Sequence, residues 1–103
     1  MSPASFPDES RPLYTVGQVA DLVGVQQAFL RRLDQHDVVS PARSSGQQRR
    51  YSHHDVGRVE AALGLINEGL TLAGVRRVFE LQAEVDALKA EIAHLKSARD
   101  SKR

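Results

Sequence analysis

The segment from Thr15 to His36, TVGQVADLVGVQQAFLRRLDQH, decides how the rest of the chain is read. Thr15 suits a helix N-cap, and Val16, Val19, Ala20 and Val23 recur at helical spacing until Gly24 stops the run. A second helix is expected over roughly Gln26 to His36, with Phe29, Leu30 and Leu33 as its apolar stripe. Two helices of two to three turns, joined at a Gly-Val corner, have the outline of a helix-turn-helix.

The neighbouring segments extend that outline. Val38-Val39-Ser40-Pro41 leaves the second helix, and Ala42 to Arg50 is polar with a turn at Ser44-Ser45-Gly46. Arg43 precedes the turn and Arg49-Arg50-Tyr51 follows it, so a short two-stranded wing fits. Ser52 with Asp55 three residues later resembles a capping box, opening a helix over about His53 to Asn67. Thr71 caps a further helix whose expected buried face is Leu72, Val75, Val78 and Phe79. From Val78 the spacing changes: Val78, Leu81, Val85, Leu88, Ile92 and Leu95 follow at intervals of 3, 4, 3, 4 and 3. This is a heptad seam with β-branched residues at a and leucine at d. The fold class predicted is mainly α, a winged helix-turn-helix with a small β-hairpin wing, followed by a C-terminal coiled-coil helix. Its expected divisions are a disordered arm over 1–12, the winged domain over 13–80, the dimerization coiled coil over 81–98 and a frayed tail over 99–103.

Composition narrows the function. The 103 residues suit one domain with an appendage, and the chain lacks cysteine, which removes disulfides and thiolate metal sites. The N-terminal segment has no apolar core of a signal peptide, and a cytoplasmic protein is expected. The net charge is only +1, but Arg11 to Tyr51 carries six arginines against three aspartates. Arginine presents a planar fork of donors suited to phosphates and guanine edges. The four histidines, His36, His53, His54 and His94, are scattered, and the adjacent pair opens a helix, where neighbours face different ways. No metal, no cofactor and no catalytic constellation is read, so an enzyme is not expected.

Several of these motifs together resemble a known family. Arg31, Asp34, Val38-Val39-Ser40-Pro41-Ala42-Arg43, Gly46, Arg49-Arg50-Tyr51 and Asp55-Val56 look like the MerR family of bacterial transcription regulators. Gly69-Leu70-Thr71-Leu72-Ala73-Gly74-Val75-Arg76-Arg77 matches that family's fourth helix. Val39-Ser40-Pro41, Arg49 to Ser52 and Leu72 to Val75 are most similar to its HspR-type branch of heat-shock repressors. The resemblance covers about residues 13 to 81. It departs at Asp37, where the family usually has glycine, at Leu33, where an aromatic is typical, and at Phe29, where threonine is common.

The resemblance implies that the second helix enters the major groove of DNA, with Gln26, Gln27 and Arg31 near base edges or phosphates. Arg43, Arg49, Arg50 and Tyr51 would then hold the backbone from the wing. Arg32 reads equally well as a contact or as a solvated surface residue. The implied function is sequence-specific binding to a dyad-symmetric promoter operator as a homodimer, acting as a repressor, without a sensor region of its own. Regulatory input would come from a protein partner such as a chaperone, from temperature or from expression level. The alternative class is an interaction module of the same fold that binds a chaperone or other regulator instead of DNA. Dimerization is expected through Val78, Leu81, Val85, Leu88, Ile92 and Leu95. Glu84 and Glu91 at g with Lys89 and Lys96 at e suit a parallel pair, whereas the family resemblance implies an antiparallel one. The reading follows the family, with the charge pattern standing against it.

Overall fold

The computed structural model describes residues 10–102, so most of the expected N-terminal arm lies outside the described residues. The chain runs β1 (Tyr14–Thr15), α1 (Val16–Val23), α2 (Gln27–Gln35), β2 (Ala42–Arg43), β3 (Arg49–Tyr51), α3 (His53–Asn67) and α4 (Leu72–Ser101). The helix starts are fixed by the side chains the sequence offers. Thr15 accepts from the Gln18 amide while Gln18 returns a bond to the Thr15 amide, and Ser52 and Asp55 do the same for α3. Thr71 caps α4 through the Gly74 amide. Each of these satisfies donors that the first helical turn would leave unpaired.

The first three helices end by one device. An amide just past the helix bonds back five residues: Val25 to the Ala20 carbonyl (3.0 Å), Val38 to Leu33 (2.8 Å) and Leu70 to Leu65 (3.1 Å). This termination needs a residue in the left-handed region. Gly24 supplies it after α1 at φ 78° and Gly69 after α3 at φ 103°. After α2 the position falls to Asp37, which adopts φ 57° without being glycine. Aspartate tolerates that conformation better than most residues, so the departure from the family pattern leaves the turn intact.

The wing is part of a three-stranded antiparallel sheet in the order β1-β3-β2. Two of its strands match the hairpin read from the sequence. The third, β1, was not foreseen: Tyr14 and Thr15 pair with Tyr51 and Arg50, and the Leu13 amide donates to the Tyr51 carbonyl at 3.0 Å. A two-residue strand carries no detectable alternation, so only the tertiary pairing defines it.

The core gathers Val19 and Ala20 of α1, Leu30 and Leu33 of α2, Val38, Val39 and Tyr51, then Val56, Val59 and Ala62 of α3 and Val75 of α4. Complete burial of the valine and leucine side chains contributes about 1.5–3 kcal/mol each. Arg58 is held at the edge of this core. Its guanidinium donates to the Val38 carbonyl at 2.9 Å and lies over the Phe79 ring, 4.9 Å from the centroid.

Beyond Phe79, which is half-buried against the core, the packing stops. Val78 faces solvent instead of joining the buried face of α4, and every described residue from Glu80 onward is exposed. The helix is therefore not folded back on its own domain. It also continues to Ser101, past Leu95 and into the segment expected to fray. No helix among the described residues is long and apolar enough to cross a membrane.

Candidate nucleic-acid interface

The corner between α1 and α2 presents the start of α2 to solvent. Gln26 is its N-cap, in extended conformation and without a side-chain capping bond, and Gln26, Gln27, Arg31 and Arg32 are all exposed. Helical spacing sets Gln27 and Arg31 four residues apart on one face. At about 1.5 Å per residue, a nine-residue helix is on the order of 13 Å long, a size that enters a major groove.

The wing stands beside this helix, and its strand alternation sorts the arginines. Arg49 and Tyr51 share one face of β3, while Arg50 between them takes the other. Arg49 turns toward α2, where its Nε donates to Asp34 Oδ2 at 2.7 Å. Arg43, directly opposite Arg49 across the β2–β3 pairing, donates to the same oxygen at 3.0 Å. Two of the three wing arginines are thus already engaged with a carboxylate. Among the described residues, Arg31, Arg32 and Arg50 form no ion pair with an acid.

Tyr51 requires a correction. It is 1% exposed, in the centre of the core, and does not reach the surface from which a DNA backbone contact would be made. The alternation that sends Arg50 outward sends Tyr51 inward. Its hydroxyl is buried and finds no hydrogen-bond partner among the described residues. Burial pushes the phenol above its ordinary range, opposed by Arg49 and reinforced by Asp34 and Asp55.

The structure therefore gathers Gln26, Gln27, Arg31 and Arg32 on the exposed side of α2, sets Arg43, Arg49 and Arg50 on the adjoining wing, and removes Tyr51. What the sequence reading missed is the role of Asp34. It stands out as part of a family motif, but nothing in its spacing announces that wing arginines nine and fifteen residues away fold back on it.

Helix-turn-helix and adjoining basic wing together define a winged helix-turn-helix protein. Solved structures agree on the fold. A MerR family transcriptional regulator from Bacillus cereus superposes with a TM-score of 0.60 at 16% identity, covering 86% of this chain and 72% of that one. HiNmlR, a MerR family regulator lacking the sensor domain and bound to promoter DNA, gives 0.59 at 21% identity over 84% and 82%. MtaN, the N-terminus of the Bacillus subtilis multidrug transporter activator, gives 0.58 at 23% identity over 85% and 92%.

The sequence places the chain more narrowly. Residues 14–82 match the MerR HTH family regulatory protein profile, and the chain belongs to the MerR family. It is 38% identical over 93 residues to the heat shock protein HspR of Streptomyces coelicolor, a match covering 89% of this chain. It is 34% identical over 85 residues to the HTH-type transcriptional regulator GlnR of Bacillus anthracis, covering 80%. The chain spans 62% and 66% of the lengths of these two relatives.

Proposed function

We propose that this protein is a transcription repressor that binds a dyad-symmetric promoter operator as a homodimer. The observation that carries the reading is the surface formed by the exposed N-cap Gln26 and the exposed Gln27, Arg31 and Arg32 of α2, with the half-buried Arg50 on the adjoining wing. Glutamine can bond adenine through two groups, and arginine can do the same with guanine. Arg50, together with the free donors of Arg43 and Arg49, is suited to phosphates, which set position on the duplex without reading sequence. The family and its regulator relatives support the part of this assignment that concerns transcription regulation through an HTH domain.

The dimer is inferred from the bare stripe on α4. Val78, Leu81, Val85, Leu88, Ile92 and Leu95 are 36% to 59% exposed, an unusual run of large apolar groups for a single chain in water. A second copy laid along the seam covers them. Beside the stripe, Gly57, Ala61, Phe79 and Ala83 line a groove between α3 and α4 that would receive the partner's helix in the antiparallel arrangement. Two reading helices related by a twofold axis would meet half-sites one helical turn, or a multiple of it, apart.

Genomic footprinting followed by binding assays on the recovered operator tests the assignment. Arg50→Ala should weaken binding to every duplex alike, whereas Gln27→Ala should alter which bases are preferred. An operator without dyad symmetry, or a Gln27→Ala protein of unchanged preference, contradicts the corresponding part of the reading.

A further inference from the structure

The wing arginines face a conflict that the fold resolves inside the molecule. A cluster of three cations attracts any phosphate, at any sequence and in any register. Asp34 reduces that attraction before DNA arrives. Its Oδ2 accepts from Arg43 Nη2 at 3.0 Å and from Arg49 Nε at 2.7 Å, and its side chain is only 14% exposed.

We propose that Asp34 is the positioning residue of this interface: it locks the wing to the reading helix, exchanging non-specific phosphate attraction for sequence discrimination. The proposal rests on the DNA-binding reading above. Three features carry it. Arg43 and Arg49 are opposed across β2 and β3, so one carboxylate oxygen ties down both strands of the wing together. Among the described residues β2 shows no other anchor of this kind: both of its residues are exposed, and it pairs with β3 alone. Asp34 also lies three residues from Arg31 on α2, so the wing is held relative to the very turn that carries the base-reading side chains.

The arginine fork makes the two roles compatible. A guanidinium has five N–H donors, and Arg43 and Arg49 each place one on Asp34, leaving others for phosphate. Arg43 is 42% exposed at its side chain and Arg49 25%, so both can be reached from solvent while the carboxylate beneath them is shielded. The clamp therefore persists in the DNA complex and acts by position as well as by charge.

Binding of full-length protein to operator and random-sequence duplexes, measured across a range of salt, tests this with Asp34→Asn and Asp34→Glu. Asp34→Asn should bind random DNA more tightly and steepen the dependence of log K on log salt by about one to two units per protomer as arginines are freed. Its preference for operator should fall about tenfold, the discrimination of a single good base contact. Asp34→Glu, which keeps the charge, should return both quantities toward wild type. An unchanged salt slope overturns the proposal, as does an equal loss of affinity on both duplexes at the wild-type slope. Should Asp34→Asn fail to fold, the Arg49 Nε–H resonance of the wild-type protein decides. Slow exchange with water, free and bound, is the expected result, and rapid exchange in either state overturns the proposal. A wild-type protein that ignores random DNA at low salt would instead refute the underlying DNA-binding reading.

Discussion

Val75 and Val78 stand nearly one turn apart on the same helix, yet the first is fully buried and the second is 36% exposed. They mark the border between two regions that use similar apolar residues differently. Before the border, valines and leucines of four helices close over one another and over Tyr51. After it, an equally regular stripe meets nothing. Periodicity states which face of a helix is apolar; it does not state whether the covering surface belongs to the same chain. The switch from a broad face to a strict seam of alternating threes and fours is what separates the two cases.

Breaking each region should therefore produce different failures. The largest effect is expected in the core. Leu33→Ala removes a fully buried side chain and should lower unfolding stability by about 2–5 kcal/mol, measured by denaturant unfolding at several protein concentrations. Ile92→Asp should leave the winged domain folded by circular dichroism but convert a dimer to a monomer in sedimentation, because a carboxylate in an apolar seam costs several times the interaction it replaces. A monomeric wild-type protein would contradict the seam reading while leaving the core untouched.

A smaller effect is expected at Tyr51. An unpartnered buried polar group costs about 1–3 kcal/mol, so Tyr51→Phe should be neutral or stabilising, by about 1 kcal/mol at neutral pH. Burial raises the phenol above its ordinary value of 10.0, so the native state holds its proton more tightly than the unfolded chain does. Its contribution is fully present below pH 10.0 and is lost as pH rises through the folded-state value. Tyr51→Phe should flatten that part of the alkaline decline, and an identical decline in both proteins would exclude Tyr51 as its source.

The smallest effect sharpens the geometry of the seam. Glu84→Lys should change the dimer dissociation constant by no more than about twofold, and the sign is informative. Weaker association marks a parallel pair, in which Glu84 meets the partner's Lys89; tighter association marks the antiparallel one, where glutamates oppose each other.

Much of this was legible in the sequence because local chemistry decided it. Thr15, Ser52 and Thr71 open their helices as their side chains dictate, and Gly24 and Gly69 close two of them. The wing was found from a turn flanked by arginines. Features set by contacts between distant segments were not. Strand β1 exists only because Tyr51 and Arg50 lie beside it. The family resemblance implies a surface contact at Tyr51, whereas the strand alternation that turns Arg50 outward turns Tyr51 into the core. Asp34 was visible as a motif residue, but its two ion pairs arise only when the wing folds onto α2. The helical continuation to Ser101 escapes the sequence because residues after Leu95 offer no large apolar group, although none of Lys96 to Ser101 is a helix breaker.

The account depends most on the attraction between this arginine surface and a duplex. Affinity for a short random-sequence DNA, measured by fluorescence anisotropy over increasing salt, addresses it directly. Arg31, Arg32 and Arg50 have no acidic partner among the described residues, so log K should fall against log salt with a slope of about −0.9 for each phosphate they neutralise. A slope near zero, or no binding even in dilute buffer, would contradict it.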